Sequence, residues 1–222
     1  MALAIDAVCF DLDGVLIHTM PLHAQAWQEA LVPLGLRVSR REIYAWEGES
    51  GTVTAATLLR RGRRTASRQA IAALLRRKER RFQQLARRVR VDPALTPWLH
   101  RLARRGIRLG LVTGTSSREV RRVVPKKILE GFDTVVTGDQ VRQGKPHPEP
   151  YRTAFHRLRI RPHQAIVVEN APYGIRSARR AGAGLVIAIA SSLPKRFLRE
   201  AHLAVTSATQ LCRALDLLTR PD

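Results

Sequence analysis

Two aspartates, Asp11 and Asp13, stand one residue apart at the end of the apolar run AIDAVCF. Carboxylates this close repel each other unless a positive charge lies near both of them. A divalent cation would supply that charge, since Mg²⁺ takes oxygen ligands and keeps several of its waters. The segment FDLDG therefore predicts a carboxylate site at the end of a buried strand.

Three more polar segments occur, and each lies at the end of a different apolar run or a few residues after it. They are Thr113-Gly114-Thr115 after IRLGLV, Lys145 in the GKP that follows FDTVVTG, and Glu169-Asn170 after AIVV. Ligands of open parallel sheets bind beyond the carboxyl ends of the strands, so these segments should meet the aspartates at one edge. Their carboxylates, hydroxyls, amine and amide together predict a site for a divalent metal ion and a phosphoryl group.

Phosphoryl transfer gives each of these side chains a role. Asp11 is the first residue after the rigid strand, and it is the predicted nucleophile, which would form an aspartyl phosphate. Asp13 would protonate the leaving oxygen as general acid and then activate water as general base. The predicted phosphate-binding residues, which stabilise the charge on the phosphoryl oxygens, are Thr113, Gly114, Thr115 and Lys145.

The apolar runs predict an α/β fold with a parallel sheet and helices on both of its faces. Six short runs are typical of buried strands, and they cover residues 4–10, 107–113, 132–138, 165–170, 184–190 and, more weakly, 202–207. Helical patterns alternate with them at 94–105, 117–124, 148–158, 172–181, 194–200 and 207–218. Repeated strand–helix units of this kind indicate a doubly wound sheet.

Residues 18–90 interrupt this alternation because they contain no convincing strand. They show helical patterns near 21–34, 40–46, 51–61 and 66–89. The sequence therefore predicts a core made of 1–17 and 91–222, with an inserted helical domain at 18–90.

Composition limits the class of protein. The 222 residues suffice for one full core and a smaller second domain, and 45% are hydrophobic. No apolar run reaches the ~18–20 residues that span a membrane, and the first residues lack the features of a signal peptide. The two distant cysteines, Cys9 and Cys212, indicate buried thiols in a reducing compartment. We expect a cytoplasmic monomer without membrane contact.

The net charge of +21 is unusual, and only five of the 39 basic residues are lysine. Twelve arginines fall between Arg60 and Arg90, with Glu79 as the single acid. Such a run could bind a polyanion such as nucleic acid, but no nucleic-acid motif accompanies it. A solvated helix face is the favoured interpretation, and a basic polyanion-binding protein stays an alternative.

Taken together, these motifs resemble the haloacid dehalogenase-like (HAD) superfamily over nearly the whole chain. FDLDGVL, LVTGTS, GKPHPEPY and VVENAPYGIRSARRAGAG are similar to its four motifs, and HTMPLHAQAW is similar to the β-phosphoglucomutase-like branch. The resemblance implies a Rossmann-like core, a mobile helical cap, Mg²⁺ and an aspartyl-phosphate intermediate. It also implies a set of metal ligands, namely Asp11, the main-chain carbonyl of Asp13, Glu169 and Asn170.

Differences between this sequence and the family motifs reduce the number of activities that the resemblance allows. Asp13 is absent from dehalogenases, so its presence favours phosphoryl chemistry. The relatives that cleave phosphonoacetaldehyde use a cap lysine, and this chain has none before Lys78. Phosphosugar mutases carry a cap arginine for a second phosphate, whereas Gly51 stands near that position with Glu47 and Glu49 beside it. We therefore expect a hydrolase rather than a mutase.

The fourth motif, VVENAPYGIRSARRAGAG, carries one negative charge fewer than is usual in this branch of the family. Asn170 stands where this branch usually has aspartate, so the site loses one negative charge but keeps an oxygen ligand. Counted with Mg²⁺, the site is then near neutral, which would ease entry of a highly anionic substrate and weaken metal binding.

Three residues of the insertion have two interpretations each. His23 and Trp27 are four residues apart and share a helix face. Trp27 is expected in a packed seam, whereas His23 could equally face the cleft and act on Asp13 as the cap closes. Glu47 could contact substrate or a metal-bound water, or simply cap a turn.

The sequence thus predicts a Mg²⁺-dependent phosphohydrolase acting on a small phosphorylated metabolite or on pyrophosphate. A β-phosphoglucomutase-type mutase is the nearest alternative. Fold and core motifs recur across many activities, so the substrate itself is left open.

Overall fold

The computed structural model describes residues 5–86, 89 and 91–219. Six parallel strands form one sheet in the order β3-β2-β1-β4-β5-β6. They are β1 Ala7–Phe10, β2 Arg108–Val112, β3 Thr134–Val136, β4 Ala165–Glu169, β5 Leu185–Ile189 and β6 Leu203–Val205. All six predicted strands are present, with shorter bounds, and the start of the first predicted strand, Ala4, lies outside the described residues.

Helices cover both faces of this sheet. They are α5 Thr96–Arg104, α6 Ser117–Val123, α7 Lys126–Leu129, α8 Glu149–Leu158, α9 Pro172–Arg180 and α10 Ala208–Leu218. Leu99, Val120 and Leu215 bring α5, α6 and α10 into one apolar cluster, while Phe155 and Ile175 bring α8 and α9 into a second on the other face. The α/β prediction of a Rossmann-like three-layer core is therefore confirmed.

Four helices lie between β1 and α5. They are α1 Met20–Leu31, α2 Arg40–Ala45, α3 Gly51–Arg61 and α4 Arg68–Leu85. They share an apolar cluster that includes Trp27, Ile43, Leu58 and Leu74. Because this cluster is separate from the two on the sheet, the helices have a core of their own. The division at 18–90 into a cap and a core stays a prediction.

Local chemistry corrects some predicted helix bounds. Pro33 lacks a backbone N–H, and α1 gives way to a 3₁₀ turn at Val32–Leu34. The Ser67 hydroxyl accepts from the Ala70 amide, so α4 begins later than residue 66. The predicted helix extends to residue 89, whereas α4 ends at Leu85. Residues 87 and 88 of that prediction lie outside the described part.

One predicted helix is wrong and one helix was not predicted. Residues 194–200 contain only the 3₁₀ turn Lys195–Phe197, which follows Pro194 and ends where Leu198 is buried against the sheet. The short helix α7 has no clear apolar periodicity in the sequence.

Some arginines of the arginine-rich run are exposed to solvent, and others contact the neighbouring helix α1. Arg68, Arg76 and Arg80 are exposed along α4, whereas Arg77 donates to the Ala30 carbonyl and Arg81 pairs with Glu29. Its last three arginines, Arg87, Arg88 and Arg90, lie outside the described residues. Within the described residues, no helix combines the length and apolar character needed to cross a membrane.

Candidate active site

The candidate site lies where the order of the sheet changes direction. The chain runs from β1 to β2 and β3 on one side, then returns to β4 on the other side of β1. Asp11 and Asp13 follow β1, while Glu169 ends β4 and Asn170 follows it; all four are buried. Such a switch point is the usual ligand crevice of an open α/β sheet.

Lys145 joins the ends of three strands. Its Nζ donates to Asp11 Oδ1 at 2.6 Å, to Glu169 Oε1 at 2.6 Å and to the Val112 carbonyl at 3.0 Å. The hydroxyl of Tyr151 also donates to Glu169 Oε1, at 2.5 Å. Burial lowers the pKa of Lys145, but the two carboxylates outweigh it and raise that pKa above its usual value. Lys145 is therefore a fixed cation beside the predicted nucleophile.

Asp13 accepts hydrogen bonds from several side chains. Thr115 Oγ1 donates to its Oδ2 at 2.8 Å, and His23 Nε2 lies 3.0 Å from its Oδ1, which the Thr19 hydroxyl also contacts. Thr113 Oγ1 is more distant, at 3.5 Å from Oδ2. Burial raises the pKa of Asp13, but His23 and the hydroxyls lower it more, so the net shift is downward.

The pKa values of the two aspartates therefore shift in opposite directions, upward for Asp11 and downward for Asp13. Burial raises the pKa of Asp11 to about 8, although Lys145 opposes that shift. The hydrogen bonds that lower the pKa of Asp13 stabilise its ionised form, which is the form that takes a proton from water in the predicted base step. On their own these shifts favour a protonated Asp11 and an ionised Asp13, whereas a nucleophilic Asp11 must be ionised; a positive charge beside Asp11 would lower its pKa.

The oxygens without partners fit a bound cation. Asp11 Oδ2 and both polar atoms of the Asn170 amide are buried and have no hydrogen-bond partner among the described residues. Gly14, with φ of +89°, leaves room for Asn170, since a Cβ there would lie 2.1 Å from its Nδ2. A carboxylate oxygen and an amide oxygen are ligands that Mg²⁺ accepts.

Glu169 fits the predicted ligand set less directly. Its Oε1 accepts from Lys145 and Tyr151, and its Oε2 accepts from the backbone N–H of Asn170. The described residues contain no group of three or more His, Cys, Asp or Glu side chains arranged to hold a metal. The metal set of Asp11, Asp13, Glu169 and Asn170 stays a prediction, supported most by the free oxygens of Asp11 and Asn170.

The loop after α2 covers this site. A Cβ on Gly48 would lie 2.5 Å from the Lys145 Cδ, and one on Gly114 would lie 2.8 Å from the Gly48 carbonyl oxygen. Burial, followed by the charges of Asp13 and Asp11, raises the pKa of the neighbouring Glu47. The loop after α2 therefore lies directly against Lys145 and Gly114, two of the predicted phosphate-binding residues.

A cleft of about 970 Å³ of empty space, including its open mouth, extends between insertion and core. Gly114 and Thr115 line it from the core side, and His23, Trp27 and Glu47 line it from the insertion. His23 is buried, stacks on Phe82 with ring centroids 4.0 Å apart, and reaches Asp13. The structure thus brings the predicted site residues of both parts of the chain to one place.

The sequence model of one family, described as haloacid dehalogenase-like hydrolase, matches residues 5–182. The chain belongs to this family. That finding confirms the resemblance of the four motifs, and the HAD assignment makes the chain a hydrolase.

Three known proteins illustrate the relationship. Protein CbbY of Cereibacter sphaeroides is 31% identical over 194 residues, 82% of this chain and 84% of its own length. The phosphorylated carbohydrates phosphatase of Thermotoga maritima is 28% identical over 95% of this chain and 98% of its own. A crystal structure of β-phosphoglucomutase from Clostridium difficile covers 97% of each chain with a TM-score of 0.85 and 21% identity, which shows the shared fold.

Four residues of this HAD site were missed by the sequence reasoning. Thr19 and Tyr151 contact Asp13 and Glu169, and Lys78 and Glu119 line the cleft. Tyr151 stands inside the GKPHPEPY motif, so its position carried a signal. Lys78 is one of only five lysines, but it stands within the arginine-rich run, where a single basic residue is not distinctive. Glu119 carried no signal, because its place depends on how two helices meet in space.

Proposed function

We propose that this HAD-family phosphatase hydrolyses small phosphate monoesters, carbohydrate phosphates first among them, through an aspartyl phosphate on Asp11. The observation that carries the proposal is the pairing of Asp11, whose Oδ1 accepts from Lys145 Nζ at 2.6 Å, with Asp13 two residues away, whose Oδ2 accepts from Thr115 at 2.8 Å. The relative from Thermotoga maritima, named for phosphorylated carbohydrates, supports that class of substrate.

The side chains divide the reaction between them. The Asp11 carboxylate attacks phosphorus in line, while Lys145, Thr113 and the Gly114 N–H stabilise the charge on the phosphoryl oxygens. The protonated form of Asp13 gives its proton to the leaving alcohol, and the carboxylate so formed takes a proton from the attacking water, which restores the protonated form. Mg²⁺, when bound near Asp11 and Asn170, would offset phosphate charge and favour the ionised form of Asp11.

The lining of the cleft favours water over a phosphosugar as the final acceptor. Among the described residues that line it there is no arginine, although the chain has 34, and Glu47, Glu49 and Gly51 line it instead. A second phosphate would meet these carboxylates, together with Glu79 and Glu119, and among the lysines and arginines of the described lining only Lys78 could offset them. We therefore favour a hydrolase over a mutase.

A phosphate-release screen tests the proposal. The purified enzyme with Mg²⁺ is given sugar phosphates, polyol phosphates, glycolate phosphate, nucleotides and pyrophosphate. We expect free phosphate from at least one monoester, and an Asp11→Asn preparation gives the blank. With β-glucose 1-phosphate we expect phosphate release, whereas glucose 6-phosphate as product would show a mutase. No release from any substrate would contradict the proposal.

A further inference from the structure

Two oppositely charged side chains face each other across the cleft. Lys78 of the insertion helix α4 places its Nζ 3.6 Å from Oε1 of Glu119, on the core helix α6. Each residue is only 8% exposed, and both line the cleft beside Thr115 and His23. This pair lies outside the set of groups that the phosphoryl chemistry uses.

Lys78 and Glu119 are too far apart to form a direct hydrogen bond. A separation of 3.6 Å is longer than the usual 2.7–3.2 Å of an N–H···O hydrogen bond. Glu119 Oε1 has no hydrogen-bond partner among the described residues. Buried acceptors are normally satisfied. This oxygen is shielded from solvent although its residue lines the cleft, so a hydroxyl that enters between Glu119 and Lys78 would supply the missing donor.

A substrate hydroxyl satisfies both members of the pair at once. A hydroxyl accepts one hydrogen bond and donates another, so it can accept from the Lys78 ammonium and donate to Glu119. A phosphate or carboxylate could accept from Lys78 but would be repelled by Glu119. The half-buried carboxylates of Glu49 and Glu79, which line the same cleft, add to that repulsion.

We propose that Glu119 is a specificity-determining residue, which with Lys78 binds a hydroxyl on the alcohol portion of the substrate. This inference rests on the proposed function and narrows it to monophosphates of polyhydroxylated alcohols, such as sugars or polyols. Sites built to hydrogen-bond a hydroxyl discriminate strongly against analogues that lack it.

The first test compares two substrates in three enzymes. Glucose 6-phosphate carries hydroxyls on its leaving group, and p-nitrophenyl phosphate carries none. We expect the ratio of their kcat/KM values to fall about tenfold in Glu119→Gln, chiefly through KM for glucose 6-phosphate. Glu130→Gln is the matched control, because Glu130 forms an exposed ion pair with Lys126 at 3.5 Å. It should leave the ratio unchanged.

A purely structural role for the pair predicts a different result. If Lys78 and Glu119 only hold insertion and core together, Glu119→Gln lowers kcat/KM for both substrates by the same factor, and the inference is overturned. An unchanged ratio with unchanged rates overturns it as well.

The second test uses the unmutated enzyme and so does not depend on a folded variant. The singly deoxygenated analogues of glucose 6-phosphate are compared with the parent compound, and at least one should lose about tenfold in kcat/KM. Equal values for all of them overturn the inference. An enzyme that hydrolyses p-nitrophenyl phosphate but no hydroxylated substrate also overturns it while leaving the phosphatase proposal standing. Failure on every ester would contradict the phosphatase proposal itself.

Discussion

His23 Nε2 lies 3.0 Å from Asp13 Oδ1, so a helix of the inserted segment contacts the predicted acid–base residue of the core. The imidazole is buried and is held in place by stacking on Phe82. The contact between His23 and Asp13 therefore depends on the placement of α1 against the core. The contact gives the insertion a direct means of influencing proton transfer at Asp13.

Replacing His23 with alanine should lower kcat about tenfold or more, because Asp13 loses a partner that fixes its position and charge. Steady-state kinetics with p-nitrophenyl phosphate measures the effect. His163→Ala removes an exposed imidazole and serves as control. A wild-type kcat in His23→Ala, with an unchanged melting temperature, would show that the contact has no catalytic consequence.

Asp13→Asn should separate the two chemical steps. The amide can neither protonate the leaving group nor activate water, yet p-nitrophenolate leaves without help from an acid. We expect a burst of p-nitrophenolate close to the enzyme concentration, followed by turnover slowed about a hundredfold or more. Stopped-flow absorbance records both phases. Steady release at the wild-type rate would remove Asp13 from the mechanism.

Asn170→Asp should tighten Mg²⁺ binding, since it places a charged ligand where a buried amide oxygen has no partner. Titration calorimetry of Mg²⁺ in the absence of substrate measures this, and we expect a dissociation constant about tenfold lower. Gln69→Glu adds the same charge on the exposed surface of α4 and controls for the long-range field. If the constant does not fall in Asn170→Asp, the assignment of Asn170 to the cation is wrong.

Gly174→Ala should destabilise the protein and distort the site. A Cβ there would lie 2.0 Å from Glu169 Cδ and Oε1, although Gly174 lies within helix α9, where alanine is normally favoured. Overpacking of this kind costs about 1–3 kcal/mol. Chemical denaturation and kcat should both report a loss. Increased stability, as helix propensity alone predicts, would contradict the close packing of Glu169 against α9.

Much of the core could be predicted because its signals are local. Short apolar runs marked all six strands, and parallel strands necessarily end at one edge, so Asp11, Lys145 and Glu169 had to converge. The two thiols, Cys9 and Cys212, are buried and free, as expected from their spacing.

The contacts that could not be predicted from the sequence are those between elements that lie far apart in the chain. The partners of Asp13 include Thr19 and His23, whose directions follow from the packing of α1 against the core. The approach of Lys78 to Glu119 requires the placement of α4 over α6, which no periodicity encodes. The absence of a helix at 194–200 likewise reflects the burial of Leu198, a tertiary effect.

The central claim is that Asp11 receives the phosphoryl group. Rapid acid quench of the enzyme during turnover of p-nitrophenyl phosphate, followed by peptide mass spectrometry, tests it most directly. Aspartyl phosphate hydrolyses quickly, so Asp13→Asn, which should slow that step, is used alongside the wild type. We predict a mass gain of one HPO₃ group on the peptide that contains Asp11, absent from Asp11→Asn. A phosphoryl group on another residue, or full turnover by Asp11→Asn, would contradict the account.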